Sequence, residues 1–177
     1  MEYSRETLVA ELRKWGITYL APSDAISDVD FASQDQLLTS IINQNDSRLR
    51  LALIPLFIRY SSFAQYVPSL SNQLDTEAAL DLQTYYMAAV YLQRLWKSRL
   101  GLYLQNMTLL PDLFSQSLGL PSPEERFGKL GLYDLADAWQ ARSRYPFNRL
   151  AAFNKTIDLF FEQLKLEKRN PHYATKS

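Results

Sequence analysis

One stretch of this chain, residues 76–100, constrains the fold more than any other. Apolar side chains recur on most sides of a helix drawn through it, and Asp75 stands directly before it as a candidate N-cap. A helix that is apolar around most of its circumference must be covered by neighbours, because its side chains would otherwise contact water. The sequence therefore predicts a long central helix at about 76–100, surrounded by other helices.

The other segments follow the same helical pattern, with glycines and prolines between most of them. Apolar residues recur at intervals of three and four in the segments 4–15, 34–43, 48–59, 133–142 and 147–165. Ser4 is a predicted N-cap, the string Asn45-Asp46-Ser47 is a second cap signal, and Pro55 predicts a kink or break. No stretch shows the sustained alternation typical of a half-buried strand. We therefore expect an all-α fold, an irregular bundle of six to eight helices around the central one.

The length of 177 residues fits one domain. We expect a single helical domain at 1–170 and a flexible polar tail at 171–177. Residues 108–121 predict a linker, and Ser122-Pro123 followed by two glutamates predicts the start of another helix.

Two residue types that carry much enzyme chemistry are scarce. The chain has no cysteine and a single histidine, His172. Most general acid–base, nucleophilic and zinc chemistry uses these types, so the composition favours a protein without enzymatic activity, and we expect no cofactor. Lys plus Arg equals Asp plus Glu at 19 each, which lacks the electrostatic field of a dedicated nucleic-acid binder.

The compartment is inferred from the N-terminus and the apolar runs. Residues 1–15 are charged and amphipathic, and nothing in them resembles a signal peptide. The longest uncharged run of the main helical region, residues 82–93, is too short to cross a bilayer. Both features predict a cytoplasmic protein that does not bind membranes.

The string Ser27-Asp28-Val29-Asp30-Phe31 resembles the metal-binding strand of nucleotidyltransferases. Two carboxylates at i and i+2 on a strand can share divalent metal ions for phosphoryl transfer. Those enzymes also place a Gly-Ser turn shortly upstream, whereas residues 20–26 contain none. We therefore favour an acidic capping loop and keep a metal site at Asp28 and Asp30 as an alternative.

His172 is the only candidate for histidine chemistry. It follows Arg169 at a spacing of three, and Pro171 lies between them. HEPN ribonucleases, which are helical, place the Arg four to six residues before the His on one helix, and Pro171 would break such a helix. We interpret His172 as a solvated residue of the tail.

Arginines gather where the last two predicted helices meet. Arg142, Arg144 and Arg149 lie at this junction, and Arg48 and Arg50 are placed alongside them as further candidates. A proline at the start of the last helix leaves backbone donors free, so an anion or a nucleic acid could bind there. The alternative, which we favour, is that the arginines offset the dipole at the end of the preceding helix.

Several aromatic residues are candidates for contact with a partner. Exposed tyrosines favour interfaces, whereas buried ones need hydrogen-bond partners and serve core packing. Core packing is the alternative for each of them. The candidate interface residues are Phe57, Tyr60, Phe63, Tyr66, Tyr91 and Tyr103.

Two segments together carry a family resemblance. Residues 48–57, RLRLALIPLF, and residues 131–139, GLYDLADAW, followed by RYPFN at 144–148, resemble uncharacterised helical bacterial proteins encoded beside minimal nucleotidyltransferases. Those arrangements are similar to toxin–antitoxin pairs. The resemblance implies a protein partner that is a nucleotidyltransferase, which this chain would inhibit or which would modify it. In related pairs the helical member is a HEPN ribonuclease, and this chain lacks that Arg–His motif.

The leading hypothesis is therefore a non-enzymatic helical interaction or regulatory subunit of a defence or toxin–antitoxin module. One alternative is a nucleic-acid-associated protein that uses the five arginines. The other is a carboxylate- and metal-dependent phosphoryl-transfer enzyme that uses Asp28 and Asp30.

Overall fold

A computed structural model describes residues 2–20, 31, 33–144 and 147–170. The regular elements formed by these residues are all helices, with no strand among them, which confirms the all-α prediction. Within them the helices are α1 (Arg5–Lys14), α2 (Gln34–Ile42), α3 (Ser47–Leu51), α4 (Leu53–Arg59), α5 (Val67–Gln73), α6 (Thr76–Leu95), α7 (Lys97–Gly101), α8 (Lys129–Arg142) and α9 (Arg149–Arg169). Short 3₁₀ helices span Ser61–Tyr66 and Glu125–Gly128. None of the described helices is long and apolar enough to cross a membrane.

Helix α6 lies at the centre, as the sequence predicts. It packs against α4, α5 and α8, and residues 84–93 are all buried. Asp75 caps its N-terminus by accepting a hydrogen bond from the Ala78 amide at 2.9 Å. The predicted helix at 76–100 is interrupted at Trp96, whose φ of −107° leaves the helical region, and α7 continues beyond it.

The helix break expected near Pro55 falls at Ala52, between α3 and α4. Pro55 thus becomes the third residue of α4, in the first turn, where the amide that it lacks would have no partner within that helix. Beyond the break, α4 lies in the core, and all its residues from Leu53 to Ile58 are buried.

The helix expected to start at Ser122 is replaced by the 3₁₀ turn Glu125–Gly128. Arg126 and Phe127 have positive φ values of 47° and 56°, and Gly128 has φ of 83°. Three successive left-handed residues cannot continue a right-handed helix. Helix α8 therefore begins only at Lys129.

The linker before this turn is fixed to α6 by polar side chains. The Tyr86 hydroxyl donates to the Pro111 carbonyl at 2.7 Å, and the Tyr91 hydroxyl donates to the Pro121 carbonyl at 2.8 Å. The Gln93 amide donates to the Thr108 carbonyl and accepts from the Leu110 amide. These bonds satisfy buried polar groups, as burial requires. The linker is irregular, as predicted, yet anchored along its length.

Candidate functional site

A cleft of about 690 Å³ opens where α3, the start of α6, the end of α8 and the start of α9 meet. That volume lies in the range of small-molecule sites, roughly 300–1,000 Å³. We call it the arginine cleft. Its lining residues are Asn45, Asp46, Ser47, Arg50, Glu77, Leu80, Asp81, Tyr85, Trp139, Arg142, Ser143, Arg144, Phe147 and Arg149.

Local sequence spacing places the residues of α6 in this cleft. Glu77, Asp81 and Tyr85 follow one another at intervals of four, which puts them on one face of a helix. Asp46 caps α3 by accepting from the amides of Arg48 and Leu49, and Arg50 follows in the same helix. An acidic and aromatic stripe on α6 therefore faces an arginine from α3.

Arg50 and Asp81 form the first polar contact of the cleft. The Nη1 of Arg50 lies 3.2 Å from Oδ2 of Asp81. Neither side chain is more than 25% exposed, so water screens this pair only in part. The Nε–H of Arg50 is buried and finds no acceptor among the described residues.

Arg149 lines the cleft from the start of α9. Its guanidinium lies 4.1 Å from the ring centroid of Trp139 and 4.7 Å from that of Phe147. Both distances are within the range of cation–π attraction, which fixes the plane of the guanidinium. Its Nε–H is also buried and has no acceptor in the described part of the chain.

Two buried guanidinium donors without acceptors are unusual in one cleft. Buried polar groups are satisfied in the great majority of cases, because an unmade hydrogen bond leaves the desolvation penalty uncompensated. Arginine also stays charged at any accessible pH, so it cannot avoid this penalty by losing its proton. Oxyanions are the acceptors with which guanidinium groups form their strongest hydrogen bonds.

The acidic residues of the cleft do not cancel its positive charge. Asp46 forms an ion pair with Arg5, in which Nε of Arg5 lies 2.6 Å from Oδ2 of Asp46. The Asp46 carboxylate also accepts the two hydrogen bonds that cap α3. Burial alone would raise the pKa of Asp46, but its bonds with the Leu49 amide and Arg5 hold that pKa below the usual range. Of the lining acids, Glu77 and Asp81 remain to offset four lining arginines.

Burial also shifts the pKa values of two further groups that line the cleft, Asp81 and Tyr85. It raises the pKa of Asp81, against the lowering effect of Arg50, and Glu77 adds to the rise. It raises the pKa of Tyr85 to about 12, so the hydroxyl stays protonated at neutral pH. A protonated tyrosine hydroxyl is a hydrogen-bonding group and not a nucleophile at that pH.

The structure brings together four of the five predicted arginines. Arg142 and Arg144 are exposed at the end of α8, and they share the cleft with Arg50 and Arg149. Arg48 is exposed on α3 and does not line the cleft. The end of α8 supplies only two of these four side chains, so its dipole does not account for the whole cluster.

Burial corrects the interface prediction at three positions. Phe57, Phe63 and Tyr91 have no exposed surface, because all three pack in the core. A partner cannot reach them while the chain is folded. Tyr60, Tyr66 and Tyr103 are partly exposed, and the prediction that they contact a partner stays a prediction.

The remaining candidates fall outside the described residues. These are Asp28 and Asp30, proposed as metal ligands, and His172 in the tail at 171–177. In the described part of the chain no three Asp, Glu or His side chains come together as a metal site.

Sequence reasoning predicted only four of the fourteen lining residues, the arginines, and missed the acidic and aromatic side chains around them. Glu77, Asp81 and Tyr85 carry a usable signal, a polar stripe at intervals of four on an otherwise apolar helix. Trp139 and Phe147 carry none, because their contacts with Arg149 depend on how α8 and α9 pack.

Comparison of the chain with protein-family models, with curated proteins and with solved structures found no match.

Proposed function

We propose that the chain is a non-enzymatic helical interaction protein that regulates or assembles with another protein, and that it binds an anionic group of this partner in the arginine cleft. The resemblance stated above suggests a nucleotidyltransferase of a defence or toxin–antitoxin-like module as the partner. One observation carries the proposal, the two buried Nε–H groups of Arg50 and Arg149 without acceptors.

The chemistry of the lining supports binding over catalysis. Guanidinium groups recognise carboxylates and phosphates through paired donors, and they do not act as bases or nucleophiles. The raised pKa of Tyr85, about 12, keeps its hydroxyl neutral. Stacking on Trp139 and Phe147 orients Arg149 before any ligand arrives, which lowers the entropy lost on binding.

Co-purification from native lysate tests the proposal when matched variants are compared. Wild-type chain, the double variant Arg50→Lys/Arg149→Lys and the control Arg48→Lys all carry the same charge. Lysine has no planar fork, so only the double variant loses paired hydrogen bonds in the cleft. We expect wild type and Arg48→Lys to retain the same protein and the double variant to release it.

Two results would contradict the proposal. One is a wild-type chain that stays alone and monomeric at micromolar concentration. The other is a retained protein whose amount is the same for all three chains, which would place the contact elsewhere.

Nucleic-acid binding is the second candidate, because Arg142 and Arg144 are exposed beside the cleft and Arg48 lies on the neighbouring helix. Each phosphate of a DNA duplex that the protein neutralises adds about 0.9 to the slope of log affinity against log salt. Titration with RNA and DNA oligonucleotides at several salt concentrations tests this function. Absent binding at low salt, or a flat salt response, would remove it.

A further inference from the structure

We infer that the anionic group held by the arginine cleft is a phosphate monoester, bound by the guanidinium groups of Arg50 and Arg149. This inference rests on the proposed function, since it names the chemistry of the group that the cleft receives. The same chemistry is offered by a phosphorylated small molecule and by a phosphorylated side chain of a partner.

The charge of the cleft matches a dianion. Four arginines line it, and Glu77 and Asp81 offset two of them, because the third lining acid, Asp46, is already paired with Arg5 outside the cleft. An excess of two positive charges remains. A phosphate monoester carries roughly −1.5 to −2 at neutral pH, whereas a carboxylate or a phosphodiester carries a single negative charge.

The number of unpaired guanidinium donors also favours a phosphate monoester over a carboxylate. A single guanidinium fork can engage both oxygens of a carboxylate, which leaves a second arginine to share those oxygens, whereas a phosphate monoester offers a third terminal oxygen. Two different arginines of the lining, on α3 and on α9, each have a buried Nε–H without an acceptor in the described chain. The three terminal oxygens of a phosphate monoester can accept from both, and Arg142 lies close enough to act on the same charges, because it lowers the pKa of Asp81 as do Arg50 and Arg149.

Asp81 positions Arg50 for this role. By pairing with Nη1 it holds the guanidinium in the lining of the cleft, and this pairing leaves the Nε–H of Arg50 without an acceptor. The carboxylate also repels an incoming anion, since both are negative. Replacing Asp81 with asparagine keeps a hydrogen-bond acceptor and removes the repulsion, so the affinity for a phosphate should rise.

At the rim of the cleft, an exposed aromatic ring can contact the molecule to which the phosphate is attached. The Phe147 ring is 42% exposed, although Arg149 stacks against it. An apolar or aromatic carrier can therefore contact this ring while the phosphate reaches the arginines.

Calorimetric titration of the full chain at pH 7.5 and low salt tests the inference with three probes. The probes are phenyl phosphate, benzoate and an end-capped phosphoserine peptide. We expect phenyl phosphate to bind at least about tenfold more tightly than benzoate, because it engages two guanidiniums instead of one. A peptide that binds more tightly than phenyl phosphate identifies a partner-borne phosphate, and a weaker one identifies a small molecule.

Variants assign the binding to the cleft. Arg149→Lys should weaken phenyl phosphate binding by about tenfold or more, whereas Arg48→Lys, outside the cleft, should leave it within about twofold. Asp81→Asn should strengthen binding, a gain that misfolding cannot produce, so the test holds even where an arginine variant fails to fold.

Three results would overturn the inference. Equal affinity for benzoate and phenyl phosphate, with the same loss in Arg149→Lys, would leave the anion-binding function standing and exclude a phosphate-specific site. If neither benzoate nor phenyl phosphate binds, both the phosphate-specific site and the anion-binding function are excluded. An unchanged or weaker affinity in Asp81→Asn would show that the phosphate does not lie beside that carboxylate.

Discussion

Arg50 reaches Asp81 with Nη1 at 3.2 Å while its own Nε–H stays buried without an acceptor in the described chain. The ion pair joins α3 to α6 and leaves one edge of the guanidinium unused. Arg149 likewise has a buried Nε–H without an acceptor in the described chain, and two aromatic rings stack on its guanidinium. Two arginines fixed in place with one donor each to spare are the physical basis of the proposed site.

The carboxyl of Asp81 should make stability depend on pH. Its pKa is raised in the folded chain, so folding favours the protonated form, and the stability present below the unfolded pKa is lost as pH rises through the folded pKa. We expect Asp81→Asn to have a higher melting temperature than wild type at pH 7. The gap should shrink as pH falls towards the ordinary carboxyl range, where both side chains are neutral.

The groups around Asp81 are Arg50 from α3, Glu77 on its own helix, Arg142 from α8 and Arg149 from α9. Melting curves of both proteins between neutral and acidic pH measure the gap. The exposed acid Asp137 gives a matched control, since Asp137→Asn should melt like wild type throughout. A gap that widens on acidification would contradict the direction of the Asp81 pKa shift.

Gly131 should tolerate no side chain. A Cβ at this position would overlap Cε1 of the buried Tyr91 ring. We expect Gly131→Ala to lower the free energy of unfolding by about 1–3 kcal/mol, the usual range for overpacking in a core. Chemical denaturation measures this value. Gly101→Ala is the matched control, because nothing lies within 4 Å of its Cβ, and a comparable loss there would refute the packing argument.

The hydroxyl of Tyr91 should contribute to stability separately from its ring. It donates to the Pro121 carbonyl at 2.8 Å and holds the linker against α6. Tyr91→Phe removes that bond alone and should cost about 1 kcal/mol, or about 2–4 °C in melting temperature for a chain of this size. Tyr133, which is 41% exposed, provides the control, and Tyr133→Phe should melt within error of wild type. Equal effects of the two changes would argue against the anchoring bond.

The left-handed turn before α8 should store strain that glycine relieves. Phe127 has φ of 56° and a side chain that is 78% exposed, so its backbone is unfavourable and its ring gains little from burial. We expect Phe127→Gly to stabilise the chain by about 0.5–1 kcal/mol. Phe127→Ala removes the ring and keeps the strain, and should bring no such gain. If both variants gain equally, the effect belongs to the exposed ring and not to the backbone.

Much of the fold could be predicted because its signals are local. Ser4, Asp46 and Asp75 each stand one residue before a helix, and each accepts from an amide of the first turn as a cap residue does. The apolar surface of residues 76–100 likewise predicts a covered helix, and α6 is central. The helix predicted to start at Ser122 was wrong because Arg126 and Phe127 have left-handed backbones, which nothing in their side chains favours.

The site was only partly predictable because its contacts join distant segments. The cluster at Arg142, Arg144 and Arg149 is visible in the sequence, but Arg50 and Asp81 meet across 31 positions. Aromatic residues gave a misleading signal, since Phe57, Phe63 and Tyr91 have interface-type side chains and lie in the core. Burial depends on which helices pack together, and residue type alone does not fix it.

Proton–nitrogen NMR of the arginine side chains tests the central claim most directly. Spectra of the Nε–H groups of the full chain, assigned with Arg50→Lys and Arg149→Lys, are compared before and after addition of phenyl phosphate. New hydrogen bonds should move the Arg50 and Arg149 Nε–H signals downfield and slow their exchange with water, while the Arg48 signal stays in place. Unchanged Arg50 and Arg149 signals at saturating ligand would contradict the proposed site.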